Sequence, residues 1–102
     1  MTGNDSAVMK ETIDLFLHQL IEARADMDFL LGCKNWGELS RLAHKIKSSA
    51  LVMGVEQMAD EMKELELLAK DSRNVDEYPE YIASLNAMID LVEVELRPYL
   101  KD

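Results

Sequence analysis

Apolar residues recur along this chain at three- and four-residue steps, the spacing of one face of an α-helix, and nowhere do they alternate as in a half-buried strand. Ile13, Phe16, Leu17, Leu20, Met27, Leu30 and Leu31 form the first stripe. It is long enough for two helices or one bent one, ending near Gly32, because Ala23-Arg24-Ala25 carries no breaker. Residues 1–4 read as a ragged terminus, with Asp5 or Ser6 as the side chain that accepts a bond from a free backbone N–H and so starts the helix. Gly32 to Asn35 reads as a turn, in which Asn35 caps a second helix and Glu38, three positions later, completes a capping box. That helix runs from Trp36 to Met53 and gathers Trp36, Leu39, Leu42, Ala43, Ile46, Ala50 and Met53 on one broad face.

Gly54 closes the second helix, since glycine reaches the left-handed conformation that a helix end favours. A third stripe follows at once: Val55, Met58, Ala59, Met62, Leu65 and Ala69. Asp71 to Glu77 is polar and interrupts it. The last helix begins around Asp76 to Pro79, where proline suits a first turn, and its seam is Tyr78, Ile82, Leu85, Ile89, Val92, Leu96 and Tyr99. Pro98 is expected to stop or kink it near Arg97. Amphipathic helices joined by short turns bury their stripes only against each other. The pattern therefore predicts an all-α, antiparallel four-helix bundle, with the N-terminal segment either an additional short helix or continuous with the first. Without repeats or low-complexity tracts, 1–102 reads as one domain.

Composition narrows the function more than the fold. At 102 residues, 48% hydrophobic and 30% charged, the chain can build a single core. A formal net charge of −9 argues against nucleic acid and against an anionic membrane as partners. Arg41, Lys45 and Lys47 nevertheless make a local cationic cluster. The single cysteine, Cys33, excludes an internal disulfide framework and suits a reducing compartment. With no leader and no spanning apolar run, the expected location is the cytoplasm, as a free-standing protein or a cytosolic piece of a larger one. Met27, Met53, Met58, Met62 and Met88 fit the core stripes, so packing is their expected role.

The face opposite the second helix's apolar stripe carries Gly37, Ser40, Arg41, His44, Lys47, Ser48 and Leu51. An imidazole thus stands toward water in mid-helix, with a cation one turn on and small residues around it. A neutral imidazole is nucleophilic near neutral pH without a strong base beside it. Most exposed histidines are ordinary surface residues, and His18, which lacks this context, is read as one. Cys33 reads as incidental, Trp36 as a plug at the bundle end, and the acidic runs Glu56 to Glu66 and Asp71 to Glu77 as solvated faces.

Leu42-Ala43-His44-Lys45-Ile46-Lys47-Ser48-Ser49-Ala50, followed by Met53-Gly54-Val55 and by Met62-Lys63-Glu64-Leu65-Glu66, resembles the signature of histidine-containing phosphotransfer domains. That family shows A-H-x-[LI]-K-G-[SA]-[SA], an L-G-A-like turn and a following helix ending in L-E. Asn35-Trp36-Gly37-Glu38-Leu39 is similar to the D-W-x-x-L that leads into its histidine helix. The resemblance implies a phosphorelay carrier more than an enzyme. His44 would accept a phosphoryl group from a receiver aspartate or a histidine kinase and pass it to another receiver aspartate. It further implies that Lys47 supplies positive charge to phosphoryl oxygens, and that Glu66 lies beside the histidine and fixes its tautomer. Ser40, Arg41, Lys45, Ser48 and Leu51 would then face the partner, joined by Ala7, Val8 or Met9 from the first helix.

The expected partners are response-regulator receivers or a hybrid kinase, met by a monomer without nucleic acid, membrane or cofactor of its own. No metal-ligand set is visible in the sequence, so Mg²⁺ is expected to come with the receiver. The chain departs from the family at Ser48, where glycine is usual. This departure favours a rival reading, a non-catalytic adaptor of the same fold that docks receivers or kinases without taking phosphate; the His44–Lys47 spacing speaks against it. A bundle that merely binds partner helices would need a larger exposed apolar patch than the pattern offers.

Overall fold

The computed structural model describes the backbone of residues 2–100 and the side chains of residues 7–100. Four helices account for nearly all of it: α1 (Thr2–Cys33), α2 (Trp36–Met53), α3 (Glu56–Lys70) and α4 (Tyr78–Leu96). The two-residue links after α1 and α2 reverse the chain, so neighbours run antiparallel. α1 packs on α2 and α4, and α3 packs on α2 and α4, which closes a four-helix ring. The ring surrounds one core in which Leu20, Met27, Leu39, Ile46, Met58, Met62, Leu65, Leu85 and Ile89 are fully buried.

The ambiguous N-terminal stripe is one uninterrupted helix of 32 residues. At about 1.5 Å per residue it matches the 48 Å long axis of a molecule that is 19 Å across in the other two directions. α1 begins at Thr2, so residues 2–4, expected to be ragged, are helical, and Asp5 and Ser6 lie inside the helix instead of capping it. The stripe kept its register through Ala23, itself buried, because alanine continues a helix as readily as any residue.

Three helix ends share one geometry. At the end of α2, Gly54 adopts φ 76°, its N–H donates to Leu51 O at 3.2 Å, and Val55 N–H donates to Ala50 O at 2.8 Å. The same pair of bonds closes α1, from Lys34 to Leu31 and from Asn35 to Leu30, and closes α3, from Ser72 to Ala69 and from Arg73 to Leu68. There the left-handed position is held by Lys34 (φ 57°) and Ser72 (φ 54°), residues whose Cβ is disfavoured in that conformation. Lys34→Gly is therefore expected to stabilise the fold by about 0.5–1 kcal/mol, and Gly54→Ala to destabilise it by about 1 kcal/mol. A Cβ at Gly54 meets no atom within 4 Å, so only backbone strain is tested there. Urea melts of the two variants should move in opposite directions.

At the end of the bundle where α2 and α4 start, Trp36 meets Tyr78 edge-on, ring centroids 5.1 Å apart. The buried Tyr78 hydroxyl donates to Leu68 O at 2.9 Å, so the plug is apolar inside and satisfied at its polar tip. Burial pushes the Tyr78 hydroxyl's pKa up. At the other end Pro98 does what its ring dictates. α4 stops at Leu96 and Arg97–Leu100 tightens into a 3₁₀ turn. That change of period takes Tyr99 out of the seam, where it was expected, and leaves it exposed while Leu100 is partly buried. Arg24 ties α1 to α4 by donating to Asn86 O at 3.0 Å and to Asp90 Oδ1 at 2.7 Å.

No described helix is long and apolar enough to cross a membrane.

Candidate functional site

The site is built on α2 and α3, the most extensively packed pair of the ring. Asn35 fixes where α2 starts: its side chain accepts from Glu38 N–H at 3.3 Å. The reciprocal half of the expected capping box is missing, since the Glu38 carboxylate instead accepts from Arg41 at 3.1 Å. Leu39, Ala43, Ile46 and Ala50 point into the core. This orientation turns His44 outward, with its side chain 57% exposed.

Ser40, expected on the partner-facing surface, is instead buried at 8% exposure. It lies far enough toward α3 for its hydroxyl to donate to Glu66 O at 2.9 Å. That bond pins the backbone of α3 where Glu66 is needed. Glu66 Oε2 then lies 2.9 Å from His44 Nδ1. A carboxylate can only accept, so Nδ1 carries the proton, and in the neutral ring Nε2 keeps its lone pair.

The second carboxylate oxygen, Glu66 Oε1, lies 3.1 Å from Lys47 Nζ. Lys47, expected to supply positive charge to phosphoryl oxygens, lies against Glu66, and both side chains are only 21% exposed. The Glu66 carboxyl has a pKa below its ordinary value. Desolvation pushes it up, but the hydrogen bonds from Lys47 and His44, together with their charge, outweigh that push. One carboxylate thus serves an imidazole on one oxygen and an ammonium on the other.

Of the remaining expected residues, Arg41, Ser48 and Leu51 are exposed on the outer side of α2. Lys45 turns toward α1, where it lines a groove with Asp26, Phe29 and Leu42, away from the imidazole. Val8 and Met9 are exposed, and Met9 shares an apolar groove of about 460 Å³ with Met53, Leu96 and Tyr99. His18 is an exposed residue whose Nδ1–H donates to Asp14 O at 2.8 Å. Cys33 is exposed and free.

Sequence reasoning missed Lys70. It borders a recess of about 350 Å³ beside His44, together with Gly37, Ser40, Arg41 and Glu66. The signal was available: Lys70 stands four residues after Glu66, the spacing that puts two side chains on the same helix face. Among the described residues no three His, Cys, Asp or Glu side chains converge as a metal site would require.

Neither a curated protein nor a solved structure matches this chain. The sequence model of the Hpt domain does match, over residues 11–95. That span takes in most of α1, all of α2 and α3 and nearly all of α4, with His44 and Glu66 inside it. A helical bundle with an outward imidazole on its second helix, matched across all four helices, belongs to the Hpt domain family, the phosphotransfer carriers of two-component signalling.

Proposed function

We propose that His44 is the residue that carries the phosphoryl group, taking it from a receiver aspartate or a histidine kinase and handing it to another receiver aspartate. The observation that supports this most directly is the 2.9 Å contact from Nδ1 to Glu66 on a ring more than half exposed. The free lone pair of Nε2 attacks phosphorus, and the bond from phosphorus to the donor's carboxylate oxygen breaks, its electrons leaving with the carboxylate. The ring then carries a positive charge, with its proton still on Nδ1 and facing Glu66. Onward transfer reverses each step at a second aspartate.

Phosphoryl transfer depends mainly on positioning and charge, and the protein's share is a nucleophile held in one tautomer. Lys47 acts through Glu66 in this reading: it holds the carboxylate in place and keeps it ionised. Mg²⁺ belongs to the receiver, and the protein works as a cytoplasmic monomer.

The test is incubation with a phosphorylated receiver. A label on this chain that is lost in acid and survives alkali identifies a phosphorus–nitrogen bond. If no receiver and no kinase labels it, the carrier reading fails and the adaptor remains. The exposed Ser48, one turn beyond His44, is the observation on the adaptor's side, because its side chain stands where the family's glycine leaves room.

Docking has its own test. Leu51 is 59% exposed on the His44 side of α2. Leu51→Glu is expected to weaken receiver binding by about tenfold, the size of effect seen when an interface side chain worth about 1–2 kcal/mol is lost. Calorimetric titration measures the affinity, and an unchanged helical spectrum shows that the fold is intact.

A further inference from the structure

α4 is apolar on two sides. Tyr78, Ile82, Leu85, Ile89 and Val92 face the core. Ala83, Ala87, Leu91 and Val94, spaced four, four and three residues apart, line the opposite side in one exposed row. Leu91 is 64% exposed and Val94 73%. Single exposed apolar side chains are ordinary, but an unbroken row of them about 16 Å long is a surface feature. The outer faces of the helices beside the imidazole are polar by contrast, with Arg41, His44 and Ser48 on α2 and Asp60, Lys63 and Lys70 on α3. A helix apolar on both faces has the composition of a buried element. Among the described residues nothing covers the second face of α4, since α1 and α3 flank it and α2 lies across the core.

Charge selects the occupant. Exposed carboxylates bound the row at both ends, Asp76, Glu77 and Glu80 before it and Glu95 after it. None of these four pairs with a cation among the described residues. The arginines that border the face are already engaged, Arg24 by Asp90 at 2.7 Å and Arg97 by Glu93 at 2.8 Å. A second copy of this chain would set the same carboxylates against each other, on top of two net charges of −9. We propose that the outward face of α4 docks an amphipathic helix of another protein, with an apolar seam at i, i+4 and i+7 and Lys or Arg at both ends of that seam. Ala83 and Ala87 let the incoming backbone come close, and Leu91 and Val94 pack between its seam residues. Because α4 stands across the bundle from α2, this helix and a partner on the His44 side fit at the same time. The inference does not depend on which residue carries phosphate.

The probe is a designed helical peptide of about 20 residues, matched to α4 in length, with a leucine seam and lysines at both ends. A twin peptide carries glutamates in place of the lysines. Fluorescence anisotropy follows binding to wild type, Leu91→Glu and Leu67→Glu, the last an equal change at an exposed leucine of α3. The lysine peptide is expected to bind wild type and Leu67→Glu alike, and the glutamate twin at least about tenfold more weakly. Leu91→Glu should weaken the lysine peptide by about tenfold, as loss of an apolar anchor does, although it adds a negative charge. Amide shifts on binding should fall along α4 and spare α2. Helical spectra and thermal melts show that each variant is folded. Absence of saturable binding to wild type overturns the proposal, and so does a Leu91→Glu protein that binds as well or better, the mark of adhesion through charge alone. Sedimentation that finds wild type a dimer and Leu91→Glu a monomer would give the face to a second copy and overturn it as well.

Discussion

His44→Gln is expected to abolish phosphoryl uptake, taking the label from a phosphorylated receiver below detection, a loss of at least about a thousandfold for removal of a nucleophile. Glutamine is a demanding replacement because it changes little else. Its amide can donate to Glu66 as Nδ1–H does, so Glu66 and Lys47 keep their arrangement. The side chain is 57% exposed, and a surface exchange of this kind moves stability by no more than about 0.5 kcal/mol. Receiver binding measured by titration should persist. Retained binding with lost label separates carrying from docking, and label that survives in His44→Gln would move the site to Ser48 or Ser49.

The second large effect is expected at Glu66. Glu66→Ala removes the acceptor that holds the imidazole's proton on Nδ1 and frees the ring to rotate and to change tautomer. Labelling should slow by about 10- to 100-fold, the range found when a group that orients a catalytic or metal-bound histidine is lost. Glu66→Gln keeps an acceptor and gives up the charge, so its rate should fall between those of wild type and Glu66→Ala. An equal rate in all three proteins would remove Glu66 from the mechanism.

The pH dependence of stability at this site follows from the direction of the Glu66 shift. Its carboxyl titrates below the ordinary 4.5 in the folded protein. A group with a depressed folded value stabilises the fold fully above its unfolded value, and that contribution disappears as pH falls through the folded one. The melting-temperature gap between wild type and Glu66→Gln should therefore be open above the ordinary carboxylate range and close as pH drops below about 4.

Much of this was legible because helices report themselves locally. The stripes of α2, α3 and α4, the Asn35 cap and the Gly54 end depend on residues within one or two turns of each other, so periodicity and capping chemistry located them. Expectation failed where a local rule was overridden from further away. Lys34 and Ser72 occupy left-handed positions because the bonds that close α1 and α3 require that conformation there, and nothing in either residue type announces it. Tyr99 left its seam because Pro98 changed the helical period beneath it. Asp5 and Ser6 are plausible caps in isolation, yet the helix simply starts earlier.

At the site the face of α2 was readable from the wheel, and Glu66 from the family resemblance. Rotation about the long axis was not resolved finely enough to show that Ser40 turns into the α2–α3 seam or that Lys45 turns toward α1. The pairing of Lys47 with Glu66 depends on two side chains 19 positions apart, and so does not appear in the pattern of either helix.

His44, Lys47 and Glu66 all fall within one helical hairpin whose reversal at Gly54 takes only two residues. The proposed reactive apparatus is therefore nearly a sequence-local object, assembled without contributions from α1 or α4. Mutational drift on their outer surfaces can retune which proteins are met, and how firmly, while leaving the chemistry of the hairpin undisturbed.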